Sequence, residues 1–382
     1  MLLKNATVLF DDFVFRKADV RIENGKIAEL GDLKPKKEEV VRDLSGYKLI
    51  PGLVETHFHG AMGKDSRMAR HDVFASFAEY EASEGITSFV PGLAASPDEC
   101  VEKFLNSGVE YMNSPVKGAK MQGFYLEGPF IAAQYRGGHQ PDALQVPSVR
   151  KMMLWQNKAQ GNILKITVAP ELKNAEQLIR WASTNGIVVE MGHTGATYDQ
   201  AIQGIDWGAS VITHVFNAMV PLYHRQPGIL GAALTNENVV CELIADFGHV
   251  APAIVKIVYL CKGADKINII SDSCVAAGVG DGHFETADGR PLLVKNGIAR
   301  MPNGVITGSA CSIMTGVRNL LKLDIPLEDA VKMASLNPAK TIKKDSEIGS
   351  ITKGKCADLV WLDKNINVCG TMVDGEIVYL RS

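Results

Sequence analysis

The residues best suited to chemistry stand at the ends of apolar runs. "PGLVETHFHG" closes on His57 and His59, two residues apart. Side chains at i and i+2 on a strand point to the same face, so the two imidazoles can reach one point. "QGFYLEG" closes on Glu127, "IVVEMGHT" on His193, "VITHVFNAM" on His214 and Asn217, "VVCELIADF" on Asp246 and "INIISDS" on Asp272. Any one of these alone reads as an ordinary structural residue; their recurrence at successive run ends argues for a metal site. Imidazole nitrogen with carboxylate oxygen and no thiolate suits one or two divalent ions, Zn, Fe, Mn or Co. Such an ion lowers the pKa of a bound water and polarises a carbonyl. The reaction then needs a group that takes the proton of the water and returns it to the leaving group. A carboxylate in a partly desolvated pocket can do both, and Asp272 is the candidate. The chemistry implied is metal-assisted hydrolysis of a C–N or C–O bond.

These run ends must be brought together. Eight short apolar runs, from "LIPGLVETHFH" to "INIISDS", alternate with amphipathic stretches such as "HDVFASFAEYEASEG", "NAEQLIRWASTNG", "TYDQAIQGIDWG" and "APAIVKIVYLCKG". Buried strands separated by helices imply a parallel sheet covered on both faces. Eight units predict an α/β fold, a (β/α)8 TIM barrel, in which all C-terminal strand ends share one face. No G-x-G-x-x-G follows the first strand, which disfavours an open dinucleotide-binding sheet. The two ends of the chain alternate polar and apolar residues and carry Asn24-Gly25 and Asp374-Gly375, two hairpin signals. Residues 1–48 and 348–382 are therefore expected to form a small β-sandwich domain, with 49–347 as the barrel.

Bulk properties narrow the class. The 382 residues are 46% hydrophobic and 22% charged, with a formal net charge of -3. No basic block suggests nucleic acid, and no apolar run approaches the roughly 20 residues of a membrane helix. "MLLKNATVLFDDFVF" is neither a signal nor a transit peptide in pattern. The seven cysteines are scattered and contain no C-x-x-C pair, which suits a reducing cytoplasm and argues against a disulfide framework or a thiolate zinc cage. Cys274, two residues after Asp272, reads as a small buried apolar residue. His71 reads as a surface or capping residue, His283 as part of a Gly-rich loop, and the four tryptophans as core.

The order of "PGLVETHFHG", "LEGPF", "GHT", "THVFNAM", "HRQPG", "SDS", "GSACSIMTGVRN" and "GSITKGKCADLVWLD" resembles the amidohydrolase superfamily. Within it the chain resembles the family of N-acetylglucosamine-6-phosphate deacetylases, over essentially its whole length. The resemblance implies that Glu127, His193 and His214 hold one divalent ion. It implies that His57 and His59 hold a second, with Asp272 and Glu127 shared. For the substrate, an amino sugar phosphate, it points to Asn217, Ala218, Arg225 and His249, to Gly138 and His139 in "RGGHQP", and to Ile306, Thr307 and Gly308. It implies a homodimer in which Arg225 reaches the phosphate in the neighbouring active site; a guanidinium suits that task because its charge is fixed and its donors are forked. Many superfamily members bridge two ions with a carbamylated lysine on the fourth strand. Lys165 lies too early for that, and Glu127 is the natural substitute. The expected reaction is hydrolysis of the N-acetyl group of N-acetylglucosamine 6-phosphate. The alternatives are another N-acyl amino sugar phosphate, a deamination, or a barrel that has become a scaffold. Two departures from the family pattern stand near the site. Phe247 replaces a glycine after Asp246, and Ser273 replaces an alanine after Asp272.

Overall fold

The computed structural model describes residues 1–381. Eight parallel strands form its centre: β1 (Leu53–Phe58), β2 (Ile86–Ala94), β3 (Phe124–Glu127), β4 (Ile163–Val168), β5 (Val188–Met191), β6 (Val211–Ile212), β7 (Val240–Ile244) and β8 (Ile267–Ile270). Each pairs with the next in chain order. The ring closes where the Asp272 N–H donates to the His57 carbonyl at 2.9 Å and the Ser271 N–H donates to Glu55 Oε2 at 3.1 Å. A helix follows every strand: α1 (His71–Ser83), α2 (Asp98–Asn113), α3 (Val149–Lys158), α4 (Ala175–Thr184), α5 (Tyr198–Asp206), α6 (Gly228–Thr235), α7 (Pro252–Lys262) and α8 (Ile313–Leu321). The expected (β/α)8 barrel is the observed fold.

Local sequence accounts for these elements. α4 buries Ala175, Leu178, Ile179 and Ala182, one stripe at helical spacing laid on the barrel. α5 begins in a capping box: Thr197 Oγ1 accepts from the Gln200 N–H, and the Gln200 side chain accepts from the Thr197 N–H. β1 is buried at all six positions, as a strand covered on both faces must be. Its continuous apolar run is nonetheless interrupted by Glu55, and Lys165, Glu190 and Glu242 interrupt β4, β5 and β7. All four are almost fully buried; Lys165 contacts Glu190 and Glu242, while Glu55 accepts from the N–H groups of His57 and Ser271.

The chain ends meet in a second sheet. Leu2–Leu9, Phe15–Glu23, Lys26–Gly31, Val41–Asp43 and Lys48–Pro51 join Leu359–Leu362, Val368–Val373 and Glu376–Leu380. An antiparallel bridge from Lys26 to Cys356 turns the sheet back on itself, so that Val8, Val20, Leu49, Leu359, Trp361 and Met372 share one enclosed core. Both expected hairpins are present. Asn24-Gly25 and Asp374-Gly375 have φ of 51° and 75°, and 46° and 79°, the positive pairs of type I′ turns. The two turns also touch. A Cβ on Gly25 would stand 2.9 Å from the Asp374 carbonyl oxygen, and one on Gly375 would stand 3.0 Å from the Gly25 Cα.

Between β8 and α8 lies an element absent from the sequence expectation. Gly282–Glu285, Pro291–Lys295, Ile298–Arg300 and Ile306–Ser309 form a four-stranded sheet, antiparallel throughout. His283 therefore sits in an exposed strand, not in a loop. The signals for the sheet were Asn296-Gly297, another positive-φ turn, and the alternate burial of Leu292 and Val294. Among the described residues no helix is long and apolar enough to cross a membrane.

Asp358 gives the terminal sheet a pH dependence. It is 5% exposed; one oxygen accepts from the Asp374 N–H at 2.8 Å and the other has no partner among the described residues. Burial raises its pKa to about 7. An unfolded chain loses this proton near the ordinary value of 3.8, while the folded chain holds it until about pH 7. Stability from this group is therefore fully present below about pH 4 and is lost as pH rises through 7, to a limit of roughly 4 kcal/mol. Asp358→Asn is expected to melt several degrees above the parent at pH 8 and to show no such gain at pH 4. Equal differences at both pH values in a calorimetric scan would refute the assignment.

Candidate active site

Glu127, at the end of β3, is the hub of the site. Its Oε1 lies 3.0 Å from both His193 Nε2 and His214 Nε2, and 3.4 Å from His57 Nε2. Its Oε2 lies 3.1 Å from His59 Nε2 and 3.2 Å from His139 Nε2. Asp272 Oδ1 stands 3.4 Å from His59 Nε2 and 3.7 Å from His57 Nε2. All five expected metal ligands and the expected proton carrier thus converge, from strands 1, 3, 5, 6 and 8.

Backbone strain accompanies this convergence. His193, His214 and Asp272 have φ of 48°, 26° and 46°. The left-handed region costs a residue with a Cβ about 1 kcal/mol or more, and such strain collects at functional sites. Sharp turns immediately after the strands are what aim these side chains across the barrel mouth.

The outer contacts of the imidazoles determine what the cluster can hold. His57 Nδ1 is 2.7 Å from Glu242 Oε2, His59 Nδ1 is 3.1 Å from the Gly92 carbonyl, and His193 Nδ1 is 2.9 Å from the Tyr135 carbonyl. In a neutral ring each acceptor requires the proton on Nδ1, which leaves the lone pair on Nε2. Three lone pairs therefore face the Glu127 carboxylate, and among the described residues His57 Nε2 and His59 Nε2 have no hydrogen-bond partner. Lone pairs and carboxylate oxygens crowded at 3 Å repel one another without a cation among them. The donor set is nitrogen and oxygen, with no sulfur, and fits a divalent ion.

His139 differs from the other histidines. Its Nδ1 accepts from the Ala95 N–H at 3.0 Å, so the neutral ring carries its proton on Nε2. Burial, opposed by Glu127 and aided by His193, pushes its pKa down to about 4. It is a neutral donor pointing into the cluster, with no lone pair to give an ion.

A cavity of about 320 Å³ opens above the cluster, within the range of small-molecule sites. Gly138, His139, Asn217, Ala218, His249, Ile306, Thr307 and Gly308 all line it, as do Glu127, His193, His214 and Asp272. His57 lies behind this wall and is fully buried. Arg225 is the exception among the expected residues. It lies in an exposed loop with Leu222 and Tyr223, away from the cavity of its own chain. Asp246, metal-capable in the sequence, has both oxygens engaged elsewhere. Oδ2 is 2.7 Å from His249 Nδ1, and Oδ1 accepts from the N–H groups of Gly248 and His249. Phe247 between them adopts φ of 66°, the conformation a glycine would take without strain, and His249 still reaches the cavity. Ser273 donates to the Gly60 carbonyl at 2.8 Å and leaves the loop closed.

The sequence reading missed Asp65, Arg67, Thr286 and Leu292 in the cavity wall. Cys274 is buried as expected, yet it too contributes to the wall. Arg67 donates to Asp288 at 2.9 Å, and Arg290 pairs with the same carboxylate while donating to the Gly138 carbonyl at 2.7 Å. The inserted sheet is tied to the barrel mouth through these contacts. No spacing signal marks such residues, because they come from loops and from an insert.

A parallel barrel with this cluster at its strand ends has the architecture of a metal-dependent hydrolase. The amidohydrolase family model matches residues 49–378, and the chain belongs to that family. It is similar to the N-acetylglucosamine-6-phosphate deacetylase of Bacillus subtilis (strain 168), 31% identical over 386 residues, covering 100% of this chain and 97% of the relative. It is also similar to the N-acetylgalactosamine-6-phosphate deacetylase of Escherichia coli O157:H7, 32% identical over 359 residues and 94% of each chain. Among solved structures, an Asp-to-Ala mutant of N-acetyl-D-glucosamine-6-phosphate deacetylase from Mycobacterium smegmatis, in complex with N-acetyl-D-glucosamine-6-phosphate, superposes with a TM-score of 0.92, 30% identity and 99% coverage of both chains.

Proposed function

We propose that this chain hydrolyses the N-acetyl group of N-acetylglucosamine 6-phosphate to glucosamine 6-phosphate and acetate. The observation that carries the reading is a shared wall. One cavity of the right size holds the Glu127 cluster, Asp272, and the His249, Asn217 and Ala218 set, in a chain that matches deacetylases over its full length. Glu127, His193 and His214 would hold one divalent ion, and His57 with His59 a second, to which Asp272 would also contribute. Bound there, the ion supplies Lewis acidity, lowering the pKa of a water and polarising the acyl carbonyl.

The residues of the chain do the rest. Asp272 takes the proton of the attacking water and passes it to the amine as the C–N bond breaks. His139 presents its Nε2–H to the acyl oxygen, where negative charge develops. Gly138, Asn217, Ala218, His249 and the Ile306–Gly308 segment hold the sugar and its phosphate. Arg225, exposed and remote from its own cavity, serves the site of a second copy in a homodimer. The seven unpaired cysteines support a cytoplasmic setting. Residues 1–48 with 348–382 serve as a supporting domain for the catalytic 49–347.

Acetate release from N-acetylglucosamine 6-phosphate by metal-stripped and metal-reconstituted protein tests the reading; absence of release from the reconstituted protein rejects it. The Escherichia coli relative favours a second reading, the galacto epimer, which the ratio of kcat/KM for the two epimers decides. Arg225→Ala is expected to raise KM for the phosphorylated sugar about 10- to 100-fold, the value of a charged hydrogen bond. Mixed Arg225→Ala and Asp272→Asn chains should recover activity, because one hybrid site has both residues intact. No recovery in exchanged dimers would show that Arg225 does not act across an interface.

A further inference from the structure

The histidines of the cluster differ in what stands behind them. The Nδ1 groups of His59 and His193 donate to backbone carbonyls, and the Nδ1 of His214 is buried without a partner among the described residues. His57 alone has a carboxylate behind it, Glu242 at 2.7 Å. Glu242 is itself gripped: its Oε1 accepts from Lys165 Nζ at 2.6 Å. Lys165 also donates to the Thr56 carbonyl at 3.0 Å, pairs with Glu190 at 2.7 Å, and stands 4.5 Å over the Tyr125 ring. Glu242, Lys165, Glu190 and His57 are all fully buried.

We propose that Glu242, clamped by Lys165, is a positioning residue that sets the affinity of the H-x-H pair for a second ion by holding His57 with its lone pair on Nε2. The proposal rests on the reading of the cluster as a metal site. Its physical basis is that Lys165 has only donors, so it commits one carboxylate oxygen and leaves the other facing His57 Nδ1. The proton must then lie on Nδ1. A carboxylate behind a ligating imidazole also increases its basicity. Lys165 touches the backbone of β1 as well, at Thr56, and so fixes both the side chain and the strand that carries it.

The amide of Glu242→Gln distinguishes this role from simple packing. Lys165 would take the amide oxygen, and the NH2 would turn towards His57 Nδ1. That arrangement drives the ring proton to Nε2 and removes the lone pair. Metal-stripped protein titrated with Zn²⁺ against a chelator is therefore expected to show a second-ion affinity 10- to 100-fold weaker in Glu242→Gln, with first-ion affinity unchanged. Adding Lys165→Met frees the amide to flip its oxygen to His57 and should restore part of the loss. Unchanged second-ion affinity in Glu242→Gln overturns the proposal. If the parent takes up one ion only, and His57→Ala takes up the same, the two-ion reading itself fails. Should the variants not fold, long-range ¹H–¹⁵N spectra of the zinc-loaded parent decide: a proton on His57 Nδ1 supports the proposal, and one on Nε2 ends it.

Discussion

Asp272→Asn is expected to lower kcat by ~10²- to 10⁴-fold, the range supplied by a positioned acid–base group, while the protein retains its metal. The carboxylate is well placed but is not the hub. It reaches the two H-x-H nitrogens at 3.4 Å and 3.7 Å, whereas Glu127 contacts every histidine of the cluster. Its backbone is tied on both sides, by the Asp272 N–H to the His57 carbonyl and by the Ser309 N–H to the Asp272 carbonyl, each at 2.9 Å. Asparagine tolerates the left-handed conformation as well as aspartate does, so the loop should keep its shape. What asparagine cannot do is accept the proton of the water. Steady-state kinetics beside metal analysis check the result, and a variant with kcat near the parent value would eliminate Asp272 as the proton carrier.

Removing Glu127 should do more damage by a different route. Glu127→Ala leaves His57, His59, His193 and His214 without the one carboxylate that all four share, and Glu127→Gln turns an NH2 towards their lone pairs. Both variants are expected to lose most of the bound metal and at least ~10³-fold in kcat/KM, because the ion and the carboxylate that anchors it go together. Excess metal should rescue neither in full. Elemental analysis of purified protein decides. Full metal content in Glu127→Ala would mean the histidines suffice and that the hub has been misread.

The strand-end residues could be found in the sequence for a physical reason. A parallel strand buried on both faces must be apolar, so a histidine or carboxylate at its C-terminal end is conspicuous, and the barrel sends all such ends to one face. The same reasoning could have found Glu55, Lys165, Glu190 and Glu242, since each interrupts an apolar run. As a bridge between ions Lys165 lies too early; its partners, Glu190 and Glu242, sit on strands whose register no local signal fixes. Arg67 and Thr286 were out of reach because a loop and an inserted sheet bring them in. Phe247 was legible as a departure, and its φ of 66° shows the backbone keeping the shape a glycine would allow while the aromatic ring packs partly buried.

The contact between the Asn24-Gly25 and Asp374-Gly375 turns has a consequence for biosynthesis. The first strands of the terminal sheet leave the ribosome long before Val368–Val373 and Glu376–Leu380, which complete it. Until Leu359–Leu362 and the strands that follow it emerge, Lys48–Pro51 lacks one of its two partners and the core shared with Val8, Val20 and Leu49 stays open. Non-local pairing of this kind is slow and prone to aggregation. Nascent chains that lack the last forty residues should therefore hold a chaperone, and release it when the two glycine turns can meet.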